Sequence, residues 1–125
     1  MIAAMSSSSE KQKLLILILN KPECLQALFS VLVELGISGA TVLDSEGMGK
    51  ILAQDIPIFA GVKNLFSATR PKNKTILIVL HEEMIPLVAQ AFEETVGPLS
   101  EPGNGIVLSM PVDLIKGGAE NPQTP

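Results

Sequence analysis

Apolar runs and polar breaks divide the chain into a short series of elements. LLILIL, at 14–19, is apolar at every position and rich in branched side chains, the pattern of a strand buried on both faces. NKPE follows. Asn20 can cap a helix there, and Glu23, three residues on, would complete a capping box. Leu25, Leu28, Phe29, Leu32 and Leu35 then recur at helical spacing until Gly36 ends the pattern, which predicts a helix over about 21–35. SGATVLDSE reads as a short second strand, and TILIVL, at 75–80, as a third. In HEEMIPLVAQAFEETVG, the residues Ile85, Val88, Ala89, Phe92 and Val96 form one helical face. Pro86 is tolerated there if it lies in the first turn. GIVLSMPV supplies the last strand.

The order βαββαβ predicts an α+β fold, a ferredoxin-like sandwich with a four-stranded antiparallel sheet and two helices on one face. The predicted domain spans 13–117, with a serine-rich disordered tail over 1–12 and a second tail over 118–125. The connection over 50–74 carries Gly, Pro and Lys and has room for a helical turn around 58–66. Connections of that length in small domains are functional or mobile. Two helices cover only one sheet face, yet LLILIL and TILIVL do not alternate. Each buried Leu or Ile contributes roughly 1.5–3 kcal/mol, so the second face is expected to be covered by other copies of the chain.

Composition narrows the function. The 125 residues are 46% apolar but only 3% aromatic, so Leu, Ile, Val and Ala must build the core. A net charge of −4 argues against nucleic-acid and anionic-lipid partners, and four Phe make a poor base-stacking platform. Cys24 is the single cysteine, which excludes an intrachain disulfide and fits a reducing cytoplasm. The 14–19 run is too short to cross a bilayer, and no small-residue cleavage site follows it. One histidine, His81, gives no metal set and no nucleophile–base scheme. It reads as a helix-entry residue, and the pairs Glu82/Glu83 and Glu93/Glu94 as helix-terminal and solvated charges. The chain is therefore not expected to be an enzyme or to need a cofactor.

Two glycine pairs remain. In PGNG, Gly103 and Gly105 flank Asn104, and backbone N–H groups there could cradle an anion. A plain turn into the last strand explains the same residues. EGMGK, at 46–50, poses the same choice. It lacks the spacing of a phosphate-binding P-loop, and no helix is predicted to open at its glycines.

Together, GATVLDSEGMGK, the long connection and PGNGIVLSMPVD resemble, in order, three segments of the PII signal-transduction (nitrogen-regulatory) family, over most of the domain. The resemblance implies a homotrimer with adenine nucleotides in the clefts between subunits. It also implies a loop, here 50–74, that docks on a transporter or a metabolic enzyme. By position, Thr41 would lie near the adenine, Gly47, Met48 and Gly49 along one wall, and Lys50 at the mouth. Gly103, Asn104 and Gly105 would face the phosphates, with Ile106 where the family has a lysine and Lys116 as a nearby cation. Ile51 stands where the family has a glutamine that helps hold magnesium and 2-oxoglutarate. These departures imply weakened triphosphate binding and a less charged ligand. The alternative is a trimeric ferredoxin-like interaction module whose cleft binds nothing.

Overall fold

A computed structural model describes residues 11–55 and 72–118, without the side chains of 50 and 53–55. Of the expected tails over 1–12 and 118–125, residues 1–10 and 119–125 lie outside the described residues, as does the expected helical turn at 58–66. Strand β1 spans Gln12–Leu19. A 3-10 turn at Pro22–Cys24 leads into helix α1, Leu25–Glu34. Strand β2 is Thr41–Ser45 and helix α2 is Met48–Asp55. Strand β3 is Asn73–His81, followed by a 3-10 turn at Glu82–Met84 and helix α3, Ile85–Val96. Strand β4, Gly105–Pro111, completes the sheet.

The sheet order is β2-β3-β1-β4, and each of its three pairings is antiparallel. This is the ferredoxin-like arrangement that the pattern predicts. On β1, Leu15, Leu17 and Leu19 turn into the core with Ile76, Ile78 and Leu80 of β3. Leu28 and Leu32 of α1 and Val88, Phe92 and Val96 of α3 close over them. Pro86 falls in the first turn of α3, where its missing N–H costs no helical hydrogen bond.

The other sheet face is turned away from α1 and α3. Register aligns Leu14 with Val79 and Met110, Ile16 with Leu77 and Leu108, and Ile18 with Thr75 and Ile106. Of these, Ile106 is 50% exposed, Leu108 49% and Met110 42%. The result is a broad apolar surface on a single chain, far from the scattered apolar side chains of an ordinary exterior.

Three expectations change. Asn20 and Glu23 form no capping box: the first turn is 3-10 with Lys21 at its N-cap, and no side chain caps it. Pro22 at the first position favours that tight entry, and the Asn20 amide is held by Asn73 instead. A helix does open at the EGMGK glycines, since α2 begins at Met48. His81 sits at the entry to the second 3-10 turn but caps nothing. Its ring is buried, and among the described residues neither ring nitrogen has a hydrogen-bond partner.

Candidate functional site

At the end of the sheet where β1 and β2 finish and β3 and β4 begin, the open face turns from apolar to polar. Ile18 stands beside Thr75 on one side and Ile106 on the other, while Ser45 is opposite Asn73. These side chains, with Asn20, Glu46 and Gly47, line a cleft of about 360 Å³.

A row of hydrogen bonds forms its polar wall. The Ser45 hydroxyl donates to Asn73 Oδ1 and lies 2.8 Å from Thr75 Oγ1. Asn73 Nδ2 in turn donates to Asn20 Oδ1 at 3.3 Å. Asn73 is buried, and its amide ties together the end of β1, the end of β2 and the start of β3. The Ser45–Asn73 ridge also borders a second recess of about 310 Å³, lined further by Pro22, Asp44, Glu46, Lys72 and Lys74. There Lys74 Nζ donates to Asp44 Oδ1, and that bond and charge hold the Asp44 carboxyl below its ordinary range.

Of the expected ligand residues, two meet in this cleft within one chain and the others lie elsewhere on it. Gly47 and Ile106 line it together within one chain. Met48, at the start of α2, is exposed and Gly49 is buried. Lys50 follows in the same helix, its side chain outside the described part. Thr41 lies at the opposite end of β2. Lys116 follows β4, whose Pro111 end pairs with Lys13, at the far end of the sheet from the Leu19–Gly105 pair.

The PGNG turn is tied to the loop that precedes it. The Asn104 side chain is buried and donates to the Pro98 carbonyl at 2.6 Å. Gly103 has φ +85° and Gly105 φ +149°. A Cβ on Gly105 would come within 2.8 Å of the Ile18 carbonyl and 2.9 Å of the Phe92 ring. Gly105 is glycine because the β1–β4 ladder runs over Phe92. The preceding loop is fastened as well: Leu99 N–H donates to Glu93, and Lys21 Nζ donates to the Val96 carbonyl at the end of α3.

The hydrogen-bonded row was missed in the sequence, although a signal for it exists. In NKTILIVLH, positions 75, 77 and 79 share the open face, and the change from Leu77 to Thr75 and Asn73 marks where that face becomes polar.

No protein-family model matches the chain, and no curated protein matches it. Two solved structures are similar in shape. Arabidopsis thaliana PII bound to citrate matches with a TM-score of 0.58 and 21% identity, over 82% of this chain and 78% of that one. A functionally unknown protein from Pediococcus pentosaceus matches with a TM-score of 0.59 and 19% identity, over 87% of this chain and 99% of that one. The chain has the PII fold. In this PII-fold chain, the cleft opens between two of the three segments whose sequences carry the resemblance, at Gly47 and Ile106.

The cleft is mixed in character. Ile18 and Ile106 give an apolar side and the amide–hydroxyl row a polar one. Among the described lining residues the charged one is Glu46, and none is cationic. Among the described lining residues none offers an anion a charge-assisted contact, the strong kind. Among the described residues no group of three or more His, Cys, Asp and Glu could hold a metal ion, and no helix is long and apolar enough to cross a membrane.

Proposed function

We propose that this chain is a divergent PII-like regulatory protein of the cytoplasm and not an enzyme. On this reading it is a homotrimer. It takes a small effector of the adenine-nucleotide kind in clefts at the contacts between copies. It acts on a partner protein, a transporter or a metabolic enzyme, through the 50–74 connection. The observation that carries the reading is the position of the polar cleft at the rim of the open apolar sheet face. Copies that cover the apolar part would leave the cleft at the edge of their contact, where a ligand reports on both.

Sedimentation with a nucleotide thermal-shift series tests it. A trimer whose apparent melting point rises with an adenine ligand is expected, because a ligand of the native state alone must stabilise that state. A stable folded monomer overturns the reading. A trimer unmoved by any nucleotide gives the second reading, an interaction module with a non-binding cleft. One observation favours that alternative: the Asn104 side chain is buried and bonded to the Pro98 carbonyl, and Gly105 is packed against Phe92, so both residues have a structural use without a ligand.

A further inference from the structure

We infer that the row Asn20–Asn73–Ser45–Thr75 determines the ligand class of the cleft, and that the class is an uncharged ring compound bearing hydroxyl or amide groups: a nucleoside in preference to its phosphates. The inference rests on reading the cleft as a ligand site and specifies what that site accepts.

The direction of the row follows from its bonds. Ser45 gives its only proton to Asn73 Oδ1, so the 2.8 Å contact with Thr75 requires Thr75 to donate to Ser45. Asn73 gives an amide hydrogen to Asn20 Oδ1. The row therefore ends in amide donors on Asn20 and in a hydroxyl acceptor on Thr75. A ligand group that both donates and accepts, such as a hydroxyl or an amide, can meet the two ends. A phosphate oxygen, which only accepts, cannot meet the Thr75 end, so the row engages the hydroxyl and amide groups of the ring compound and the charge of the lining decides against the phosphates.

Charge points the same way. Glu46 contributes the carboxylate at the lining. Lys72 and Lys74 line the other recess, across the Ser45–Asn73 ridge, and Lys74 is paired with Asp44 there. Ile18 and Ile106 offer apolar contact to a ring face. A volume of about 360 Å³ is in the range of small-ligand pockets.

Calorimetry on the full chain with adenosine, adenosine monophosphate and adenosine triphosphate at fixed ionic strength decides the matter. Adenosine is expected to bind most tightly and the triphosphate at least tenfold more weakly. Thr75→Val removes the acceptor, and Asn20→Asp replaces the donors with a charge. Each should weaken adenosine at least tenfold while leaving the sedimentation coefficient unchanged. Triphosphate binding tighter than adenosine overturns the inference and leaves the regulatory reading standing. Absence of binding by all three overturns both. Folded variants that hold adenosine within twofold of wild type also overturn the inference. The wild-type series is informative by itself if a variant does not fold.

Discussion

Gly105 is the residue on which the chain's end of the cleft depends. At φ +149°, with the Ile18 carbonyl and the Phe92 ring against its α-carbon, it has no room for a methyl group. Gly105→Ala should cost about 1–3 kcal/mol through strain and overpacking, read as a lower urea midpoint. His81 offers the opposite case. Its ring is buried without a hydrogen-bond partner among the described residues, so an apolar replacement gives up no bond. His81→Leu should leave stability unchanged or raise it by up to about 1–2 kcal/mol. A loss above about 1 kcal/mol in the same denaturation assay would show that the imidazole has a partner. Asp44 illustrates a bond with little effect on stability. Its lowered pKa, from the Lys74 hydrogen bond and charge, means that the pair stabilises above the ordinary carboxylate range. That contribution is lost as pH falls through the lowered value. The carboxyl is exposed, so water and salt screen it. Asp44→Asn should leave the melting point at pH 7 where it was and flatten only the part of the pH profile below about pH 4, a window set by the carboxylate range.

At the scale of elements, the two halves of β1 and β3 answer to different neighbours. Ile78 lies in the core under the helices and Ile16 on the open face. Asp at 78 should prevent folding of the chain itself, because an unpaired charge would be buried. Asp at 16 should leave a folded chain with native circular dichroism that sediments as a smaller species. Equal unfolding by both would place Ile16 inside the protomer core and not at a contact. The six elements of the sandwich were legible because their signal is local: Leu25, Leu28 and Leu32 mark a helix by their spacing, and unbroken branched runs such as LLILIL mark buried strands. Helix α2 was not legible. Its Met48–Asp55 segment contains Gly49 and too few apolar residues for a face to stand out. The helix entry at NKPE was misread for a different reason: Asn20 has a local use as a cap and a distant use at Asn73, 53 residues away, and only the fold brings the second into reach. The site was half legible. Gly47 and Ile106 are recognisable from motif, whereas Ser45, Asn73 and Thr75 become a group only through strand register.

At the scale of the whole molecule, the open sheet face governs behaviour. With Ile106, Leu108, Met110 and Leu43 each about half exposed beside Leu14, Ile16, Leu77 and Val79, one chain leaves a core-like surface in water. Stability should then depend on protein concentration, with a melting temperature that climbs as the sample is concentrated; assembly shifts unfolding by mass action. A melting temperature constant over a hundredfold dilution would count against the assembly. The same surface has a consequence for biosynthesis. If the proposed trimer forms, a newly made chain is most vulnerable before it meets its siblings, when its sheet is open to proteases and to sticking at random. Dosage therefore becomes a property under selection, since halving the synthesis rate lengthens the wait between release from the ribosome and protection. An allele that folds but cannot associate would escape the mixed assembly and be lost alone. One that associates but distorts the turn at Gly105 would carry its fault into every complex it joins, and would act dominantly over a normal copy.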